Sequence, residues 1–168
     1  VFIGLAMLRV LVFRPESFSS PSVHESVTVS YVIDGDTLDL TDGRRVRLLG
    51  IDAPEAGFDG EEPEPWAAES TQWLRDRVEG RPVRLRIDEV EKDRYGRTLA
   101  WIFDEQATLI NRQMLAEGQA RLLADFGLPI DLEPSLRAAE SEARLAKLGL
   151  WGLPRSTARK SSTAKPRP

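Results

Sequence analysis

The residues able to do chemistry in this sequence are acidic and basic rather than nucleophilic. Asp34 and Asp36 bracket a glycine in VIDGDTLDL, and Asp52 and Glu55 bracket Ala53-Pro54 in RLLGIDAPE. Carboxylates are oxygen ligands suited to calcium or magnesium, and calcium accepts a looser cage that includes carbonyls and waters. Two such clusters on neighbouring strands can build one metal site. Taken alone, DGD is equally an ordinary Asp/Gly turn, and DAPE a strand exit or a helix start. Two arginines strengthen the metal reading. Arg47 stands inside the apolar stretch VRLLGI, where a guanidinium needs a partner or water. Arg97 follows a glycine in DRYGR and precedes the apolar Leu99 and Trp101. Either arginine by itself could be a solvated strand end or half of a structural ion pair. Together with Asp36, Asp52, Glu55 and a divalent ion they would leave one net positive charge, which a phosphodiester neutralises. The arginine forks and the metal would then face the oxygens that gain charge as water attacks phosphorus.

Composition removes the competing chemistries. The chain has no cysteine, which excludes disulfides, thiolate zinc sites and thiol nucleophiles. Its one histidine, His24, stands in a Ser/Pro-rich stretch and reads as an exposed spacer, so histidine triads and multi-histidine metal centres fail. The net charge of -4 conceals an asymmetry: the basic residues Arg155, Arg159, Lys160, Lys165 and Arg167 leave residues 1–153 at -9. Such a body does not coat nucleic acid through a broad basic face, but a local basic cleft remains open to it.

The elements that must position these residues follow from periodicity. Residues 1–13 are apolar except for Arg9, and they read as a truncated export or anchor segment, an extension upstream of Met7, or a docked strand or helix. Residues 15–26 have linker composition. From Val27 onward, Val27, Val29, Tyr31 and Ile33 alternate as a strand, Leu38 and Leu40 belong to a second, and Asp42-Gly43 makes the hairpin turn. A third strand over residues 44–51 has mixed alternation, which predicts a bulge or strong coiling. Residues 54–65 read as a loop. Trp66, Ser70, Trp73, Leu74 and Val78 make the inner face of a helix that stops at Gly80. Val83, Leu85 and Ile87 form one side of a fourth strand, and Leu99, Trp101 and Phe103 one side of a fifth. A short helix over 109–118 follows. Leu136, Ala139, Ala143 and Ala146 stripe a longer helix, with Pro134 in its first turn and Gly149 as its C-cap. The expectation is an α+β protein: a five-stranded OB-fold-type β-barrel with about three packed α-helices. Its domain would cover 27–153, after an apolar segment and linker over 1–26 and before a basic, disordered tail over 154–168, which serves either as a tether or as a solubility tail.

The blocks VIDGDTLDL, RLLGIDAPE, DRYGRTLAWIF, LINRQMLAEGQA and SEARLAKLGLWG, in this order, resemble the staphylococcal nuclease-like domains over roughly residues 27–153. The resemblance implies a calcium-dependent endonuclease that hydrolyses DNA, with RNA as a second candidate substrate, and leaves 3'-phosphates. It implies that Asp36, Asp52 and the backbone carbonyl of Ala53 bind Ca2+, where the family often has threonine in place of Ala53. It implies further that Glu55 is the general base, that Arg47 and Arg97 bind the scissile phosphate, that Tyr95 lies beside the nucleotide, and that Arg94 contacts a terminal phosphate. The family's pocket tyrosine is replaced by a residue whose approximate match is Leu123, so base stacking, which contributes about 1–3 kcal/mol per base, is reduced.

Two other functions compete with this one. A non-catalytic OB-fold module binding nucleic acid or protein would lack some of Asp36, Arg47, Asp52, Glu55 and Arg97, and all five are present. A structural calcium clip would be stabilised by the ion without binding nucleic acid. Expected partners are DNA and RNA, with no obligate protein partner and a monomeric state. Residues 1–13 suggest membrane association, and favour a secreted or membrane-anchored extracytoplasmic location over a cytoplasmic one.

Overall fold

The computed structural model describes residues 25–152 apart from Phe58, Asp59, Glu89 and Phe126. The apolar segment 1–13, most of the linker and the basic tail expected from the sequence lie outside the described residues.

Five strands close into a barrel in the order β1-β2-β3-β6-β5. They are β1 (Glu25–Val32), β2 (Thr37–Leu40), β3 (Arg45–Leu48), β5 (Pro82–Arg86) and β6 (Thr98–Phe103). All neighbours run antiparallel except β3 and β6, which are parallel with Val46 opposite Thr98 and Arg47 opposite Leu99. Around the barrel pack α1 (Ala67–Val78), α2 (Ile110–Ala116) and α3 (Glu133–Leu145). The α+β, OB-type barrel with three helices expected from the pattern is the observed fold.

Alternation explains the core. Val46 and Leu48 on β3, Leu38 and Leu40 on β2, and Val83 and Leu85 on β5 are all buried, and their strand neighbours point away from the barrel. A register shift between Val29 and Tyr31 lets one long strand serve two partners: residues 25–28 pair with β5 and residues 29–32 with β2. The irregularity expected in the third strand takes a different form. Residues 45–48 form β3, the chain turns at Gly50 with φ 69, and β4 (Ile51–Asp52) leaves the barrel to pair with β7 (Arg121–Leu122). A Cβ on Gly50 would strike the indole of Trp101, so glycine meets both a backbone and a packing demand there.

The inner side of β6 also differs from expectation. Thr98, Ala100 and Ile102 face the barrel, fully or almost fully buried, whereas Trp101 is covered on the opposite face with its Nε1 donating to Asp88 at 2.7 Å. Small residues fit the crowded interior of a narrow barrel, and the large indole is accommodated outside under Gly50. In α1 the buried set is Ala67, Ser70, Trp73, Leu74 and Val78; Trp66 instead caps the helix at φ 77, with its Nε1 donating to Gln119. Helix α3 ends earlier than the stripe suggested. Ala146 is its exposed C-cap, and Gly149 begins a 3-10 turn (Gly149–Gly152) whose backbone packs against Gly118.

The membrane association suggested by residues 1–13, and the membrane-anchored location drawn from it, are corrected: no helix among the described residues is long and apolar enough to cross a membrane. Residues 1–13 themselves lie outside the described residues.

Candidate active site

The site is assembled where the β1–β2 turn meets the end of β3. Asp36 closes the turn: its backbone N–H donates to Asp34 Oδ1 at 3.0 Å, and its carbonyl accepts from Leu48 N at 2.8 Å. The turn sits hard against its surroundings, because a Cβ at Gly35 would come within 2.6 Å of the Ala53 Cβ and would strike the hydroxyl of Ser70. Gly35 therefore lets the DGD turn, the DAPE exit and α1 share one small space.

Asp36 is buried, only 5% exposed as a residue, and its carboxylate has partners on both oxygens. Oδ2 lies 2.9 Å from Arg47 Nη1 and accepts the Ala53 N–H at 2.9 Å, while Oδ1 accepts the Thr37 hydroxyl at 3.1 Å. Burial pushes its pKa up to about 7; the Arg47 guanidinium opposes this, and the Asp34 carboxylate adds to it. Arg47 emerges from β3 between Val46 and Leu48, and its Nη1 also donates to the carbonyls of Leu48 and Ile51, each at 3.0 Å. Its Nη2 reaches Asp52 Oδ1 at 3.4 Å.

Asp52 is half-exposed at the end of β4, and Glu55 is exposed three residues further on, beyond the buried Ala53 and Pro54. The loop that follows folds back, with Glu64 N donating to the Glu55 carbonyl at 2.9 Å. Although Glu55 is on the surface, crowding by surrounding atoms raises its pKa, the Asp34 and Asp52 carboxylates raise it further, and Arg47 opposes them.

The structure thus brings Asp36, Arg47, Asp52, Ala53 and Glu55 into one neighbourhood, with Asp34 beside them. Arg97 is held one strand away: its Nε donates to Asp93 Oδ2 at 2.7 Å, and its backbone N–H to Asp93 Oδ1 at 3.0 Å. Burial disfavours the charged form of Asp93, but these hydrogen bonds and that of the Tyr95 N–H outweigh it and hold the carboxyl below its ordinary range. Tyr95 is 68% exposed, with the guanidinium of Arg94 4.7 Å and that of Arg97 5.5 Å from its ring centre. Leu123 donates its N–H to the Gly50 carbonyl at 2.9 Å, beside β7.

Two positioning residues escaped the sequence reading. Asp93 orients Arg97, and its signal was an Asp starting the DRYG turn, a position where the side chain bonds the backbone ahead of it. Asn111 is fully buried, accepting from Ile102 N and donating to the Leu49 carbonyl, so α2 fixes β6 against the turn after β3. A polar amide on the apolar face of a short helix was its signal.

The donor set suits a hard divalent cation. Asp34, Asp36, Asp52 and Glu55 supply oxygens only, and a cation would favour the ionised forms of Asp36 and Glu55 that burial and the neighbouring carboxylates disfavour. The side-chain geometry is less gathered than the chemistry: among the described residues no group of three or more carboxylates or histidines converges to hold a metal ion. Both oxygens of Asp36 are taken up by Arg47, Ala53 and Thr37 instead.

Relatives of this chain share its sequence over the same region. A family model described as staphylococcal nuclease homologue matches residues 45–152. The thermonuclease of Staphylococcus intermedius is 37% identical over 164 residues, spanning 90% of this chain and 95% of that protein. The micrococcal nuclease of Shigella flexneri is 37% identical over 134 residues, 73% of this chain and 71% of that protein. "Probable endonuclease LCL3" of Pyricularia oryzae is 37% identical over 115 residues, and the chain spans 43% of its length. Two further fungal relatives with the same printed name are likewise spanned over 41% of their lengths. The matched span contains β3 with Arg47, the DAPE exit and the DRYGR turn, and two bacterial nucleases align over most of their length, so the chain belongs to the staphylococcal nuclease homologue family.

Proposed function

We propose that the chain is a calcium-dependent endonuclease that hydrolyses phosphodiester bonds of DNA, with RNA as a second substrate, and leaves 3'-phosphates. The observation that carries the reading is the buried Asp36–Arg47 pair with Asp52 and Glu55 at the adjoining strand exit. Arginine next to several carboxylates is an expensive arrangement for a fold alone, and it suits a site that takes an anion and a cation together.

In this reading Asp36, Asp52 and the Ala53 carbonyl hold the metal. When bound, Ca2+ supplies neutralising charge and polarises a phosphoryl oxygen. Arg47 and Arg97 offer planar N–H forks to the non-bridging oxygens and stabilise the charge that develops there. Glu55, exposed and crowded by other carboxylates, orients the attacking water and accepts its proton. Water attacks phosphorus and the 5' oxygen leaves. Arg94 and Tyr95 contact the neighbouring part of the substrate.

Digestion of DNA and of RNA in calcium, in magnesium and in chelator tests the proposal, with the product ends identified chemically. Cleavage in calcium that yields 3'-phosphates and stops in chelator is the expected result. Binding of nucleic acid in excess calcium with no turnover would instead return the non-catalytic module, and calcium-dependent stabilisation with no binding the structural clip.

A further inference from the structure

Resting on the nuclease reading, we propose that the outer face of β2 and β3, beside the turn that leads into β6, carries a second subsite, which holds the nucleotide adjoining the cleaved one and binds its phosphate through Arg45. Arg45 and Arg47 alternate on β3 with the buried Val46 and Leu48, so both leave the barrel on the same side, about 6.6 Å apart along the strand. The parallel register of β3 with β6 sets Val46 opposite Thr98, which brings Arg97 beside Arg45. Three arginines, Arg47, Arg45 and Arg97, are therefore neighbours on one side of the barrel.

A groove of about 440 Å³ lies on that side, walled by Ser30, Asp39, Arg45, Tyr95, Gly96 and Arg97. Tyr95 stands exposed at its edge with the guanidinium groups of Arg94 and Arg97 against its ring, an aromatic and cationic surface that a base can meet whatever its identity. Arg45 is held rather than loose: its Nε and Nη2 donate to the two oxygens of Asp39 at 2.8 and 3.1 Å. A guanidinium carries five N–H donors, so this fork leaves donors for a further anion while fixing the plane of the group. The side chain is 55% exposed, which leaves that anion access. An orienting carboxylate, a fixed arginine and an aromatic face together suit one sugar-phosphate unit, and the groove continues toward Arg97, where the scissile phosphate is placed. Asp39 orients Arg45 and repels the anion, so its net effect on binding is unfavourable.

The test compares the full chain with Arg45→Gln and Asp39→Asn. One substrate is a single-stranded deoxyoligonucleotide, and the other a nucleoside aryl phosphodiester with one phosphate. The subsite predicts that Arg45→Gln lowers the ratio of kcat/KM for the oligonucleotide to that for the small ester about tenfold. It should also reduce the log–log salt slope of oligonucleotide binding by about 0.7, the share of one phosphate in a single strand. Asp39→Asn should tighten oligonucleotide binding. A purely structural Arg45–Asp39 pair would lower the melting temperature of both variants and leave ratio and slope at the parental values, and that result overturns the proposal. If the full chain cleaves neither substrate the nuclease reading fails, and the salt slope of binding still decides the subsite.

Discussion

Oδ2 of Asp36 lies 2.9 Å from Nη1 of Arg47, with the two side chains only 8% and 14% exposed. The residue proposed to hold a cation is thus the counter-ion of the residue proposed to hold an anion. A metal and a phosphate binding together would take over both halves of the pair, each replacing the charge that the other partner loses. Coupling between the two ligands follows: calcium should raise affinity for a mononucleotide bisphosphate, and the nucleotide should raise affinity for calcium by the same factor. Titration calorimetry of each ligand in the presence and absence of the other measures both arms of that cycle, and independent binding would show that the pair does not link the sites.

The pH dependence of the metal-free protein tests the burial of Asp36. Its pKa is about 7 in the fold against an ordinary value of 3.8, so between these pH values the folded state keeps a proton that the unfolded state has released. Stability from this group is therefore full below about pH 4, declines as pH rises and levels off above about 7. Glu55 is shifted in the same direction and adds to the trend. Asp39, Asp42, Asp93 and Asp131, whose carboxyls lie below the ordinary range, titrate beneath this window. Melting temperatures in chelator should fall across the window, and excess calcium, which favours the ionised carboxylate, should remove the fall. Asp36→Asn should flatten the curve in chelator; a parental slope in that variant would assign the effect elsewhere.

Much of this site could be read before any fold was known, because its determinants are local. The DGDT and DRYGR turns shape themselves through hydrogen bonds two to four residues long, such as Asp36 N to Asp34 and Arg97 to Asp93, and Arg47 reaches Asp52 five residues on, whereas the bond from Ala53 N to Asp36 joins the two carboxylate blocks from a distance. What stayed hidden depends on distant contacts. Period two could not show which face of β6 enters the barrel, because both faces are apolar; the choice of Ala100 over Trp101 is made by interior space and by Asp88 waiting outside. Nor could it show that residues 44–51 break at Gly50, since that turn exists to let the Trp101 indole pass.

Gly35 is the point where local and distant demands meet. The Cα hydrogen that stands where a Cβ would be faces Ser70 on α1 and the Ala53 methyl, so Gly35→Ala overpacks a site that cannot yield without moving the DGD turn, the DAPE exit or α1. The expected cost is about 1–3 kcal/mol in chemical denaturation, typical of an added methyl in a close-packed interior. Because the turn carries Asp36, calcium affinity should drop along with stability. A variant as stable as the parent would show that α1 can shift freely.

Replacing Arg47 or Arg97 by lysine keeps the charge and removes the planar fork. Arg47 is satisfied by two backbone carbonyls and two carboxylates, a pattern that one ammonium group cannot reproduce, and Arg97 engages Asp93 through Nε alone among its side-chain donors, so a lysine that kept this ion pair would spend its ammonium there and present no planar fork to a phosphate. Each variant should lose about a hundredfold or more in turnover, the scale found when a donor to a developing oxyanion is removed. Steady-state cleavage of DNA measures this, and near-parental rates in both would mean that charge alone suffices.

Glu55 is the proposed general base, and its placement separates its role from that of the metal ligands. It projects from an exposed position after Pro54, outside the buried pair of Asp36 and Arg47, and its backbone is held by the contact with Glu64. Crowding and the Asp34 and Asp52 carboxylates raise its pKa, which makes it a better proton acceptor than an isolated glutamate. Glu55→Gln removes the acceptor and leaves Asp36, Asp52, Arg47 and Arg97 in place. DNA affinity in calcium should therefore stay near the parental value while single-turnover cleavage falls by about a hundredfold or more. The pH–rate profile should also lose its acidic limb, which reports the base, and a variant weakened only structurally would keep that limb at a lower rate. Parental single-turnover rates in the folded, calcium-bound glutamine variant would remove Glu55 from the proton transfer and leave the water to be oriented by another group.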